Sequence, residues 1–501
     1  MHEKAIWRVV SWIVPATVLA VLTLLSLALV FTVGVGCGDD AYHAGIAKNL
    51  AGGLGYTSTI QDGRTDFIAL QFDPRVGVGP TIILPASLII RIFGNTYWAP
   101  GLANVILWVS SCVGIGLLIR KYQPGIGLSL ATISFFYLGL ALTTFHFEQW
   151  YALLGEIPAA LLIILSVLLF FHDSSGVYQF LAGLAMSLAV QAKLLSLLAF
   201  VVFLLVGGIS YVLHRLKKET TGQERIIANS AYLIMGFVIP LLAFEMWKFF
   251  ELGSSGFVDN WKSYLSFVSN KGLDRGQTPS LFALYKRRSA LIYQGFGITM
   301  QSAAFILMLA GVLVSRDKVL WRIYSVLVSV TISYMLWWIF LSIGWERYFI
   351  IPLILIIAVA SLPFLSSYPR KWLMVYFILI VIWPAGMWDR IPYPLSLIDS
   401  GYFMPTQRTD ALLKAADILA GGKGKDRVLT QWWATAADLE YISDSHLIFT
   451  TFRDDTRKYV RPYWVAADTK FVDPKDEDFI RMLNNCRGLR KVGDYLVGKC
   501  E

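Results

Sequence analysis

The sequence is poor in charged residues and in cysteine. Only 15% of its 501 residues are charged, whereas 56% are hydrophobic, and its four cysteines do not have the spacing of a zinc site. It also lacks a phosphate-binding loop, a dinucleotide fingerprint and a metal-binding helix motif. These absences argue against cytosolic nucleotide chemistry. The low charge and high apolar content also exclude a series of soluble domains, because such domains could not bury so many apolar residues.

Apolar runs of about 17 or more residues recur along the chain, which is the length that a helix needs to cross a bilayer. We therefore predict an α-helical polytopic membrane protein with about eleven transmembrane helices. The predicted spans are 9–35, 97–119, 123–145, 157–171, 177–192, 195–213, 228–250, 290–315, 323–343, 349–368 and 372–388. The first run is too long for a signal peptide and has no cleavage site, so we expect it to stay as the first helix.

Basic residues indicate how these helices are oriented. If residues 79–93 do not span, the main basic clusters all fall on one side of the membrane, at residues 4–8, 120–121, 214–225, 316–322 and 370–371. The positive-inside rule makes that side, with the N-terminus, cytoplasmic. We therefore predict that 79–93 form an amphipathic helix at the outer interface. The loop 251–289 would then face outward in spite of three consecutive basic residues from Lys286 onward, which is against the rule.

The C-terminal residues 389–501 differ in composition from the rest. They carry 17 basic and 17 acidic residues, so the net charge of +9 belongs to 1–388. That charge suits anionic lipid, and we expect no nucleic-acid partner. We predict a transmembrane domain at 1–388, whose first exterior loop is 36–96, and an exterior α/β domain at 389–501. Its predicted strands are 427–431, 446–451 and 489–497, and its predicted helices are 435–441 and 475–485.

Two of the cysteines, Cys486 and Cys500, flank the last predicted strand of that exterior domain. Exterior compartments are oxidising, so a disulfide between them is possible there. The sequence leaves this disulfide and a pair of free thiols as equal alternatives.

Charged side chains gather in the predicted exterior loops rather than inside the helices. The first loop carries Asp39, Asp40, His43, Lys48, Asp62, Arg64, Asp66, Asp73 and Arg75, and later loops carry His146, Glu148, Glu156, Lys193, Glu346 and Arg347, which Tyr348 follows. Ionisable groups are costly in a bilayer and usually functional. Carboxylates can act as a general base or bind a metal ion, and basic side chains can hold a phosphate. This distribution is what an enzyme at the outer membrane surface needs.

Each of these side chains also has a structural interpretation. Asp39 and Asp40 would serve as caps of the helix that begins near Ala41, although two in tandem favour a function. Arg347 and Lys193 would reach out of the bilayer to the interface. Glu156 would interact with the dipole of the helix that it precedes.

Several motifs resemble those of the GT-C superfamily of integral membrane glycosyltransferases. The run Asp-Asp-Ala-Tyr-His-Ala-Gly-Ile-Ala-Lys-Asn-Leu-Ala-Gly-Gly-Leu-Gly-Tyr at 39–56 is similar to their first-loop signature. Residues 72–80, 155–159, 345–348 and 432–441 resemble later motifs, in the same order and on the same predicted side. By pattern the chain is similar to the group that contains the lipid A aminoarabinose transferase, the protein O-mannosyltransferases and the cell-wall arabinosyltransferases.

The resemblance implies an inverting glycosyltransferase of the bacterial inner membrane. It would move a hexosyl or pentosyl group from a polyprenyl-phosphate-linked donor to a lipid, glycan or protein acceptor at the extracytoplasmic face. Asp39 would be the general base, and Asp40 and Glu156 would orient the acceptor, assist the base or hold a divalent cation. The remaining substrate-binding candidates are Arg75, Arg347 and Tyr348 for the departing phosphate, together with His43, Arg64, His146, Glu148 and Lys193.

Other functions are consistent with the same architecture. A transporter or flippase for a lipid-linked sugar would also need many helices, but the sequence shows no internal repeat and its charges do not lie at the midplane. A non-catalytic scaffold would leave the aspartate pair without a role beyond capping. Among enzymes, an oligosaccharide ligase or polymerase with a diphosphate-linked donor is a further alternative.

Overall fold

The structure is a computed structural model that describes most of the chain. The described residues are 2–35, 38–58, 70–122, 126–142, 148–173, 175–205, 223–269, 282, 285–286, 288–290, 300–342, 346–366, 406–420, 427–431, 433–443, 448–451, 463–470, 472–473, 476–484, 486 and 488–500. The predicted span 372–388 lies outside them, as does most of the loop 251–289 beyond residue 269.

Helices, most of them apolar, predominate among the described residues between 2 and 366. They are α1 (His2–Thr32), α2 (Gly38–Ala51), α3 (Pro80–Phe93), α4 (Ala99–Tyr122), α5 (Ile126–Leu142), α6 (Glu148–Tyr151), α7 (Glu156–His172), α8 (Gly176–Ala192), α9 (Leu194–Leu205), α10 (Gln223–Phe267), α11 (Met300–Val314), α12 (Lys318–Phe340) and α13 (Ile350–Ser361). Within the described ranges, five segments are long and apolar enough to cross a membrane, at Trp12–Thr32, Ala99–Tyr122, Ser230–Phe267, Lys318–Phe340 and Arg347–Leu365. The helical polytopic fold predicted from the sequence is confirmed.

Helix α10 is longer than the predicted span 228–250. It continues to Phe267 across a kink at Gly253, whose φ of 67° suits glycine because that residue has no Cβ. Helical structure therefore occupies the first part of the predicted loop 251–289. Large apolar side chains such as Ile239 and Leu242 are exposed along α10, which suits contact with lipid better than contact with water.

Helix α3 corresponds to the predicted amphipathic segment 79–93. It starts at Pro80, where a proline needs no hydrogen-bond donor, and stops at Gly94, whose φ is 82°. Leu84, Leu88 and Ile92 form an exposed apolar stripe at four-residue spacing. The stripe supports an interfacial location, which stays a prediction.

The chain divides into two compact units that do not follow the boundary at residue 388. The first unit contains 1–25, 106–150 and 155–393, and the second contains 26–105, 151–154 and 394–501. The division into domains at 388/389 stays a prediction. The second unit brings α2 and α3 together with the C-terminal sheet.

Among the described residues, the C-terminal sheet has five strands in the order β4-β3-β5-β7-β6. Its strands are β3 (Arg427–Thr430), β4 (Ile448–Thr451), β5 (Tyr463–Asp468), β6 (Arg490–Val492) and β7 (Tyr495–Cys500), while a separate two-stranded ribbon pairs β1 (Thr57–Ser58) with β2 (Leu70–Gln71). β3 runs parallel to β4 and β5, and β7 is antiparallel to both β5 and β6. Its helices are α14 (Gln407–Leu419), α15 (Trp433–Ile442) and α16 (Glu477–Asn484).

The predicted last strand 489–497 is wrong in one respect. The structure has a hairpin there, because Gly493, with a φ of 56°, turns the chain between β6 and β7. β7 then runs on to Cys500, which is joined by a disulfide to Cys486 with a Cα–Cα distance of 4.7 Å. Of the two alternatives for these cysteines, the structure has the disulfide. Strand β5 was not among the strands predicted from the sequence.

Candidate active site

The aspartate pair lies in the first turn of α2, within the second unit. Asp39 is partly exposed, whereas Asp40 is buried and 2% exposed. The Leu153 N–H donates to Asp40 Oδ1 at 2.7 Å, and His43 Nδ1 lies 2.7 Å from the Leu153 carbonyl oxygen. Because Asp40 and His43 are three residues apart on a helix, they share a face and hold the same backbone unit. The two aspartates thus differ in environment, with Asp40 fixed in position and Asp39 accessible.

A second contact fixes the same helix to the loop that follows it. Tyr42 donates a short hydrogen bond to the Asp73 carboxylate, and Arg75 binds that carboxylate with Nε at 2.9 Å from Oδ1 and Nη2 at 2.6 Å from Oδ2. Burial, followed by the charge of Asp73, raises the pKa of Tyr42 well above its ordinary value. Tyr42 is therefore a permanent donor, and the Arg75 guanidinium is engaged by a carboxylate.

The first unit contains a separate charged cluster at the start of α7. Glu156 is fully buried, and its Oε1 lies 2.8 Å from Lys193 Nζ and 4.0 Å from Arg347 Nε. Among the residues that the structure describes, none donates a hydrogen bond to Glu156 Oε2. The preceding Gly155 has a φ of 84°, a conformation that favours glycine and that sets the entry of the chain into α7.

An aromatic ring lies beside both basic groups of this cluster. Lys193 Nζ is 5.5 Å, and Arg347 Cζ is 5.4 Å, from the ring centroid of Tyr348. These distances fit cation–π attraction to the ring. Two cations beside one buried carboxylate leave net positive charge, which can attract an anionic ligand such as a phosphate.

The predicted site residues therefore fall into two groups. Asp39, Asp40, His43 and Arg75 lie in the second unit, and Glu156, Lys193, Arg347 and Tyr348 lie in the first. Arg64 and His146 lie outside the described residues, and Glu148 begins α6 with a side chain that is also outside them.

Sequence reasoning missed the partners that hold α2 in place. Tyr42 and Asp73 both lie inside the motifs quoted above, but nothing in the sequence paired them. Leu153 contributes only its backbone, which no side-chain pattern can reveal. Within the described part of the chain, no three His, Cys, Asp or Glu side chains are grouped so as to hold a metal ion.

A further cluster of ionisable groups lies at the C-terminal sheet. Arg408 Nη2 is 3.6 Å from Asp438 Oδ2 and 3.9 Å from Asp468 Oδ2. Burial raises the pKa of Asp438 to about 7, against the lowering effect of Arg408. Burial also raises the pKa of Asp468. Burial raises the pKa of Tyr495, and the charge of Asp438 raises it further. No motif in the sequence pointed to this cluster.

Solved structures of one protein are similar to this chain over its whole length. ArnT from Cupriavidus metallidurans bound to undecaprenyl phosphate superimposes with a TM-score of 0.61 at 13% identity, covering 98% of both chains. The same protein in the apo state gives 0.58 at 13% identity, covering 100% of this chain and 98% of that one. No protein-family model and no curated protein sequence matches the chain. The likeness shows that the chain shares the fold of ArnT.

Proposed function

We propose that this protein is a membrane glycosyltransferase that takes its sugar from a polyprenyl-phosphate-linked donor. The observation that carries the proposal is the asymmetric aspartate pair of α2. Asp40 is held by the Leu153 N–H while Asp39 is accessible in the same helical turn, in a chain with the fold of ArnT. The positive end of the helix dipole favours negative charge at this position.

In the proposed reaction Asp39 acts as general base and the anomeric centre is inverted. Asp39 takes the proton of an acceptor hydroxyl, whose oxygen forms the new bond to the anomeric carbon. The bond from that carbon to the phosphate oxygen breaks, and the polyprenyl phosphate leaves with the electron pair. Lys193, Arg347 and Tyr348 are proposed to bind the phosphate, where charge-assisted bonds would stabilise the developing negative charge.

The remaining candidates have supporting roles in this proposal. Asp40 and His43 both bind Leu153 and so fix the orientation of the first turn of α2, which also carries Asp39. Arg75 fixes the Asp73 carboxylate, which accepts the hydrogen bond from Tyr42. Glu156 places the Lys193 amine and lowers the net charge beside it. We further propose a bacterial inner-membrane location with the N-terminus in the cytoplasm and the aspartate pair outside. The acceptor is a lipid, glycan or protein.

Replacing Asp39 tests the role of the base. Asp39→Asn keeps the shape of a partly exposed side chain, so we expect normal insertion and folding but a fall in transfer of roughly 10²–10⁴-fold. The measurement is the loss of labelled sugar from undecaprenyl-phosphate-linked donors by the full chain in proteoliposomes. Near-wild-type transfer by Asp39→Asn would contradict the assignment of Asp39 as the general base.

A binding measurement tests the phosphate site, and a transport measurement separates the proposal from a transporter. Wild-type protein in nanodiscs is expected to bind undecaprenyl phosphate, and Lys193→Met is expected to weaken that binding. Passage of the labelled lipid-linked sugar across the proteoliposome membrane without transfer to any acceptor would support the transporter class instead.

A further inference from the structure

The last turn of α15 is bound to α2 by one lysine. Lys48 Nζ lies 3.3 Å from Glu440 Oε1, and it also donates to the backbone carbonyl oxygens of Glu440, through a short bond, and of Ser443, at 3.3 Å. The free carbonyl groups at a helix C-terminus carry partial negative charge and attract a cation. Lys48 therefore joins α2 both to a side chain and to the end of a helix.

The contact is close because α2 has a glycine at the point of approach. A Cβ at Gly45 would lie 2.2 Å from Glu440 Oε2. The Glu440 side chain is buried, with 4% of the residue exposed, so the carboxylate lies against the α2 backbone. Neither the glycine nor the glutamate has a part in the proposed proton transfer.

The neighbouring residue of α15 is hydrogen-bonded to the segment that follows α3. Tyr441 Oη donates to the Thr96 carbonyl oxygen at 2.7 Å, and Asn95 Nδ2 donates to the Tyr441 carbonyl oxygen at 2.6 Å. Burial, and after it the charge of Asp40, raises the pKa of Tyr441 well above its ordinary value. The end of α15 thus lies near enough to the aspartate pair for Asp40 to act on Tyr441.

We infer that Lys48 and Glu440 are positioning residues, which fix α2 along its axis and so hold Asp40 on Leu153 and Asp39 in place for proton transfer. The inference rests on the proposed function. Gly45 and Lys48 lie five and eight residues after Asp40 on one short helix, so a shift at their end moves the pair with it. A displacement of about 1 Å at a reacting group can cost on the order of 10² in rate.

The test uses two glycines, Gly45 within α2 and Gly52 directly after its C-terminal end. In the full chain in nanodiscs, we expect Gly45→Ala to raise hydrogen exchange at the Leu153 amide roughly tenfold, since its bond to Asp40 is weakened. Gly52→Ala is the matched control, because a Cβ there meets nothing nearer than 3.4 Å. Adding Glu440→Ala to Gly45→Ala removes the clash, so exchange should fall below that of Gly45→Ala, but it should stay above the wild-type rate because Lys48 has lost its carboxylate partner.

A second variant covers the case in which Gly45→Ala does not fold. Lys48→Met should also raise exchange at Leu153, whereas Lys48→Arg, which keeps the cation, should raise it less. With an undecaprenyl-phosphate-linked sugar as donor, kcat should fall in Gly45→Ala and Lys48→Met while KM stays near the wild-type value.

The outcomes separate this inference from the proposed function. Unchanged exchange at Leu153 in both Gly45→Ala and Lys48→Met, or equal effects of the two glycine variants, would overturn the positioning role. A wild-type chain that fails to bind undecaprenyl phosphate would instead count against the proposed function and leave the exchange result standing.

Discussion

The buried pair of Glu156 and Lys193 shows how costly single charges are at this site. Glu156 is 0% exposed, and its Oε1 lies 2.8 Å from the Lys193 amine. When one member of such a pair is removed, the other keeps an uncompensated charge in a medium of low dielectric constant. The two side chains are therefore best considered together.

Variants of this pair should show strong coupling. We expect Lys193→Met to destabilise the protein by about 3–5 kcal/mol. Arg347, whose Nε lies 4.0 Å from Glu156 Oε1, should reduce this loss by partly neutralising the Glu156 carboxylate. The double variant Glu156→Gln/Lys193→Met should recover much of that loss, because neither member of the pair is then left as an uncompensated charge, and the remaining Arg347 is 20% exposed. Thermal unfolding in detergent measures both effects.

An exposed pair on α10 provides the control for that cycle. The side chains of Lys262 and Asp259 are 72% and 71% exposed, so Lys262→Met should change stability by about 1 kcal/mol or less. A double variant at Glu156 and Lys193 that is as unstable as the sum of its singles would show that the pair is not coupled.

Sequence reasoning at the residue scale found charged groups but not their partners. Asp39 and Asp40 stand out because two acidic residues in tandem are rare after an apolar run. The contact of Asp40 with Leu153 depends on a backbone group 113 residues away. Side-chain type does not encode such a partner, and only the folded chain can supply it.

Elements with a strong local signal were the best predicted. The span 97–119 corresponds to Ala99–Tyr122, and the helix 435–441 to Trp433–Ile442, because apolar periodicity is a local property. The β6–β7 hairpin was missed since Val492-Gly-Asp-Tyr495 looks continuous with its flanking strands. The turn depends on the positive φ of Gly493.

The sheet cluster of Arg408, Asp438 and Asp468 should make the C-terminal elements sensitive to pH. Burial raises the pKa of Asp438 to about 7, so the folded state keeps a proton that the unfolded state loses near pH 4. Stability from this group is complete below about pH 4 and falls as the pH rises to about 7. The raised pKa of Asp468 acts in the same direction.

Asp438→Asn should remove most of that slope. The groups that face Asp438 are Arg408 from α14, Asp468 from β5 and Tyr495 from β7. Hydrogen exchange of β5 and β7 between about pH 5 and about pH 8, a range that contains the upper part of this window, measures the slope once it is corrected for the intrinsic rate. Asp410→Asn, at a 51% exposed carboxylate on α14, is the control. Equal slopes in wild type and Asp438→Asn would contradict the prediction.

For the whole molecule, the disulfide links stability to location. Cys486 and Cys500 close a loop of 14 residues at the end of the sheet, which should stabilise it by about 3 kcal/mol. Disulfides persist in oxidising compartments. The disulfide therefore agrees with the proposed extracytoplasmic location of the C-terminal sheet.

This location can be checked in intact cells. When thiols are blocked at lysis, both cysteines should resist a maleimide reagent until a reductant is added. Cys486→Ala/Cys500→Ala should lower the unfolding temperature of the purified protein, and a reductant should do the same to the wild type. Rapid labelling of both cysteines without reduction would place the sheet in a reducing compartment.

The contact between Lys48 and Glu440 also has a consequence for biosynthesis. The two residues are 392 positions apart, so the lysine leaves the ribosome long before its partner exists. At about 5–20 residues per second, the delay is on the order of 20–80 s. Throughout that time α2 and its aspartates are in place in the nascent chain without the helix that aligns them. Under the proposed function, the aspartate pair becomes competent only after Glu440 has been translated, and nascent chains that do not yet contain Glu440 would not consume lipid-linked sugar.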